Sequence, residues 1–128
     1  MRALMLIVLL MLGTPTAQAA PVVAETTTTG EWGVAALQAR LDASHHYTVQ
    51  VDGPAGAAFT ARYMQVYVSR QPSNGGSGND DGSFQGNVPY EQDLTPPAAG
   101  LIFWRYSVVV SPTDPAQLVV RVIDQGPR

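Results

Sequence analysis

Two carboxylates, two histidines and two aromatic rings are the residues whose types and spacing offer chemistry in this chain. Glu91 and Asp93 stand two apart in Val88–Leu94, so on a strand they share one face, as do the paired carboxyls that divide acid and base work in glycosidases. Pro89 confines that segment to a strand start or a sheet edge, where charged side chains more often deter casual pairing. The guard reading is favoured. His45-His46 suggests a metal or an acid–base group, but adjacent residues on a strand point to opposite faces and cannot chelate one ion as histidines at i and i+4 on a helix do. Asn79-Asp80-Asp81-Gly82 offers oxygen ligands without the alternate spacing and distal glutamate of an EF-hand loop. There is no Gly-x-Ser-x-Gly elbow, and the scattered serines assemble no nucleophile, base and orienter. No catalytic residue, metal or cofactor is therefore expected. A small secreted hydrolase working through His46, Glu91 or Asp93 is the alternative.

The same segment is the candidate partner site. An edge strand leaves main-chain groups unpaired, and an added strand from a partner satisfies them. Phe84 and Tyr90 would supply the apolar contact and Glu91 and Asp93 the charged border, with the loop Gln71–Asn87 ordering over the incoming chain.

Length and composition bound the rest. The chain has 128 residues, 45% hydrophobic, with ten acids, seven arginines, no lysine and no cysteine. That is one domain with one modest core, stabilised by packing without disulfides. Without a basic patch to neutralise a run of phosphates, nucleic acid is excluded as a partner. Met1-Arg2, the apolar run Ala3–Leu12 and the small-x-small site Ala17-Gln18-Ala19 make residues 1–19 a cleavable signal peptide. The run is too short for a membrane span, so an exported protein is expected, periplasmic or extracellular, with no stable membrane anchor after cleavage. Residues 20–30, with Thr26-Thr27-Thr28-Thr29, read as a flexible leader, and residues 31–126 as the domain.

Within the domain, Thr28-x-x-Glu31 matches a capping box, and Val34, Leu37 and Leu41 recur at helical spacing. This predicts a short helix from about Glu31 to Asp42. Tyr47–Val51 alternates and ends in the turn cluster Asp52-Gly53-Pro54-Ala55-Gly56, after which Phe59–Ser69 completes a predicted hairpin, with Arg62 and Gln65 on opposite faces. Gln71–Asn87, rich in glycine, reads as a long mobile loop. Leu101–Val110 is the core strand: Ile102, Trp104, Tyr106, Val108 and Val110 share one apolar face at a period of two. Gln117–Asp124, with Leu118, Val120 and Val122 together, closes a second predicted hairpin. Five or so strands at short spacing predict an all-β fold, a small β-sandwich that is immunoglobulin-like or a half-barrel, with one short N-terminal helix.

The order of these motifs resembles the soluble part of the mycobacterial small membrane protein (MmpS) family. The matching stretches are the tyrosine-led strand into Gly53-Pro54-Ala55-Gly56 and Phe59-Thr60-Ala61-Arg62-Tyr63, then Val88-Pro89-Tyr90, then Leu118-Val119-Val120-Arg121-Val122-Ile123-Asp124-Gln125-Gly126. They span about Tyr47 to Gly126. The chain departs from that family in its cleavable signal, in lacking a cysteine in the last strand, and in stopping soon after Gly126. The resemblance implies a β-sandwich and an accessory role outside the membrane, and no functional residue is carried over from it. Together these readings make the chain a secreted or periplasmic non-catalytic binding module. Its expected setting is as an accessory subunit of an envelope transport or secretion complex, or alone as a free ligand-binding domain.

Overall fold

A computed structural model describes residues 20–30, 32–68 and 77–128, and every regular element among them is a β-strand. The strands are β1 (Val22–Thr27), β2 (Ala35–Asp42), β3 (His45–Asp52), β4 (Ala58–Val68), β5 (Ser77–Asn87), β6 (Tyr90–Leu94), β7 (Phe103–Pro112) and β8 (Val119–Pro127). They form two four-stranded antiparallel sheets, ordered β1-β8-β3-β6 and β2-β7-β4-β5. The signal peptide expected over residues 1–19 lies outside the described residues.

Between the sheets lies one apolar core. One side of it is Ala35, Leu37, Ala39 and Leu41 of β2 with Trp104, Tyr106, Val108 and Val110 of β7; the other includes Tyr47, Val49 and Val51 of β3 with Val120 and Val122 of β8. The β7 face predicted from alternation is in place, except that Ile102 precedes the strand and is exposed. Leu118, Val120 and Val122 are fully buried, as their period of two requires. Trp104 meets Tyr47 edge to face at 6.3 Å across the core, the geometry that aromatic quadrupoles prefer.

The predicted N-terminal helix is β2 instead. Its eight residues alternate strictly between buried and exposed, because Ala35 and Ala39 are apolar positions as well as Leu37 and Leu41. Counting only the large side chains hides the period of two. Thr28 caps no helix: its Oγ accepts from the Leu118 N–H at 2.9 Å and donates to the Gly30 carbonyl, and the residue is buried. Nor is the leader loose, since Val22–Thr27 pairs with β8 as β1.

Residues 77–87 were expected in a mobile loop and are an eleven-residue strand paired along its whole length with β4. The glycines explain the disagreement. Gly78, Gly82 and Gly86 share the inner face, where the absent Cβ atoms are replaced by the rings of Tyr67, Tyr63 and Tyr90, each within 2.9 Å of where a Cβ would stand. These glycines are seats for aromatic rings.

Both predicted hairpins are arches between sheets. β3 and β4 lie in different sheets, as do β7 and β8, so each of these turns carries the chain across the core. At the first crossing Gly56 has a φ of 87°, open to glycine at no steric cost. The resulting strand order is that of a jelly roll, in which two Greek keys interleave, and it replaces the immunoglobulin-like arrangement.

Candidate functional site

The open side of the sandwich is built by β5 and β6, the edge strands of the two sheets on that side. The edge position expected for Val88–Leu94 is therefore the one β6 occupies. A link of only Val88 and Pro89 joins the two strands, with the Val88 N–H donating to Ala57 and its carbonyl accepting from Gly56. Beside this link Phe59, Phe84 and Tyr90 form an aromatic cluster. Phe84 and Tyr90 stack at 5.3 Å with planes 7° apart, and Phe59 meets Tyr90 edge-on at 5.2 Å.

Farther along the same side, a cleft of about 70 Å³ opens between the sheets, lined by Tyr63, Gln65, Phe84, Gln92, Leu94 and Tyr106 among others. One water-sized group needs roughly 10–15 Å³, so the cleft accepts a small side chain or a short polar group. Its polar lining is specific. Trp104 Nε1 donates to Gln65 Oε1 at 2.8 Å, and Gln65 Nε2 donates to Asp80 at 3.2 Å, so the buried amide is fixed in one orientation. Gln92 Oε1 accepts from the Tyr90 hydroxyl at 3.0 Å. The Tyr106 hydroxyl is buried and has no hydrogen-bond partner among the described residues. Burial pushes its pKa well up, and Tyr63 and Tyr90 push the same way. It stays a neutral O–H with an unused donor and acceptor, and such a group costs about 1–3 kcal/mol if left unmade.

Of the four residues singled out from sequence, the fold brings Phe84 and Tyr90 into contact, and Asp93 borders the cleft that Phe84 lines while Glu91 stays outside it. Glu91 and Asp93 lie on the outer face of β6, where Glu91 accepts from Gln50 at 3.1 Å and Asp93 is 3.4 Å from His46. Gln65, Gln92 and Tyr106 were missed as site residues. For Gln65 the signal was present, as a polar residue on the strand face that carries Phe59, Ala61 and Tyr63 at a period of two.

His45 and His46 diverge as expected. His45 Nδ1 stands 2.9 Å from both oxygens of Asp124, and neither histidine is hydrogen-bonded to a hydroxyl among the described residues. Burial alone would raise the Asp124 pKa, but His45 and the Gly126 N–H together hold it below the usual carboxylate value. A carboxyl depressed on folding contributes stability above its unfolded pKa of about 3.9, and that stability is lost as pH falls through the lower folded value. Asp124→Asn is expected to lower the thermal midpoint at pH 7 and to flatten its decline below pH 4; an unchanged acid limb would show that Asp124 is not part of it. Among the described residues no three histidines, aspartates or glutamates cluster as metal ligands would.

No family model and no curated protein matches this chain. Solved structures that superpose on it include PirA, 13% identical over 79% of this chain and 91% of that one with a TM-score of 0.42. They also include TmCBM61 in complex with beta-1,4-galactotriose, at 10%, 80% and 70% with a TM-score of 0.41. A third is family 16 carbohydrate binding module-2, at 11%, 81% and 86% with the same TM-score. Likeness this distant carries no argument about ligand or activity.

Proposed function

We propose that this chain is a non-catalytic binding module that takes an extended segment of a partner protein along its β5/β6 side. The observation that carries the reading is the Tyr106 hydroxyl, buried without a partner at the wall of a cleft between two sheet edges. A polar side chain entering that cleft would give the hydroxyl its missing hydrogen bond.

Of the two edges, β5 is the receptive one. β6 is five residues long, is preceded by Pro89 and carries Glu91 and Asp93, the devices by which proteins blunt an edge. β5 is eleven residues long and has no proline; it also carries two acids, of which Asp80 is engaged by Gln65 on the inner face and Asp81 stands on the outer one. A strand added there would satisfy its unpaired main-chain groups, and its alternate side chains would face the cleft. Phe84 and Tyr63 then provide the apolar contact, while Gln92, Asp93 and Leu94 of β6 form the opposite wall. With export, such a module would serve as an accessory subunit of an envelope complex.

The test uses ten-residue peptides selected by display against the intact chain. Tyr106→Phe is expected to keep or raise the thermal midpoint, because it removes an unpaired buried hydroxyl. It is expected to weaken peptide binding about tenfold, equivalent to about 1.4 kcal/mol. Unchanged affinity in Tyr106→Phe and in Phe84→Ala would remove the cleft from the binding site.

A further inference from the structure

We infer that the outer face of the β2-β7-β4-β5 sheet is a second binding surface, and that its ligand is an acidic polysaccharide. The register of the four strands lays this face out in rows. Ala36, Val109, Arg62 and Ser83 stand side by side, then Gln38, Ser107, Met64 and Asp81, then Arg40, Arg105, Val66 and Asn79. Over the first two rows lies a groove of about 800 Å³ lined by Arg62, Met64, Asp81, Ser83, Ser107 and Val109, within the usual size range of ligand sites.

Charge is the first observation. The chain is acidic, with a formal net charge of −3, yet Arg40, Arg62 and Arg105 all stand on this one face. Arg40 and Arg105 are directly opposite each other across the β2–β7 ladder, an arrangement that costs stability for like charges. Arg40 places its guanidinium 3.8 Å above the Phe103 ring, and neither Arg62 nor Arg105 has an ion-pair partner among the described residues. On the other sheet, by contrast, Arg121 is held by both Glu25 and Asp52. The acids on the cationic face are Asp42, which accepts from the N–H and hydroxyl of Ser44, and Asp81.

The remaining side chains select the class of anion. A guanidinium fork accepts a carboxylate in bidentate fashion. Met64 and Val109, both more than 40% exposed, offer an apolar strip to the C–H face of a sugar ring, with Ser83, Ser107 and Gln38 beside them for its hydroxyls. Arg62 lies one strand over and four residues along from Arg105, about 13 Å in the strand direction. A polymer with repeated carboxylates spans that distance and a single small anion does not. Nucleic acid would need a denser row of cations, and an added peptide strand would use the sheet edge instead.

Binding of the full chain to polygalacturonate, alginate and hyaluronate, measured by retardation in affinity gels at low salt, tests this, with dextran as neutral polymer and polyglutamate as acidic peptide. Retardation by at least one of the three acidic polysaccharides is expected, weakening with salt and absent with dextran. Arg62→Ala combined with Arg105→Ala should weaken it at least tenfold at an unchanged thermal midpoint, Asp81→Asn should strengthen it, and Tyr106→Phe should leave it as it is. Failure to bind all three, equal retardation by dextran or polyglutamate, or full binding by the double arginine variant would overturn the inference. None of these results bears on peptide binding at β5.

Discussion

Trp104→Ala is expected to destabilise the chain by about 3–5 kcal/mol, the usual range for deleting a large buried aromatic side chain. Typical domains are stable by only about 5–15 kcal/mol, so the loss is a large fraction of the total. Two losses combine. The indole is fully buried at the centre of the core and packs edge-on against Tyr47, so its removal leaves a cavity that β-sheets on both sides cannot close. It is also the donor to Gln65 Oε1, and truncation strands a buried amide oxygen. Trp104→Phe separates the terms, retaining most of the volume while still orphaning Gln65, at a cost of about 1–3 kcal/mol. Urea denaturation followed by circular dichroism measures both. A Trp104→Ala midpoint equal to that of the parent would remove Trp104 from the core.

The second large effect is expected at Gly86. On backbone grounds alone, alanine should help, because glycine inside a strand costs conformational entropy. Here the added methyl meets Tyr90 Cδ1 at 2.9 Å and Cε1 at 3.2 Å. Tyr90 cannot swing aside, being held between Phe84 on its face and Phe59 at its edge. Gly86→Ala should therefore cost about 1–3 kcal/mol by overpacking. At Gly78 the nearest atom is the hydroxyl end of Tyr67, at 2.7 Å. That ring is only half-buried and, unlike Tyr90, is not stacked on another ring among the described residues, so Gly78→Ala should cost less than Gly86→Ala. Thermal melts of the two variants give the comparison. If both are stabilised, the rings do not rest on these glycines.

The same glycines show why part of the fold was legible in the sequence and part was not. Alternation identified the buried faces of β7 and β8, because valine, tryptophan and tyrosine at a period of two have few other readings. β5 has no such signal: its buried side is built from rings belonging to β4 and β6, so its own residues look like a loop. β2 was misread because its core positions are split between leucines and alanines, and leucines four apart imitate a helix. The arches were misread because a turn between two strands gives no sign of whether the second strand returns to the same sheet. At the site, Phe84 and Tyr90 were legible as the large apolar residues beside an edge strand. Tyr106 was legible only as core, since its unpaired hydroxyl follows from what the other sheet fails to supply.

Amide hydrogen exchange on the chain with and without a display-selected peptide tests the central claim, that the β5 edge is where a partner strand docks. Exposed edge amides exchange quickly unless they are paired. The account predicts new protection within Ser77–Asn87, at alternate amides, with little change along β1 and β2 at the opposite side of the sandwich. Protection appearing along Val22–Thr27 or Ala35–Asp42, with Ser77–Asn87 unchanged, would contradict it.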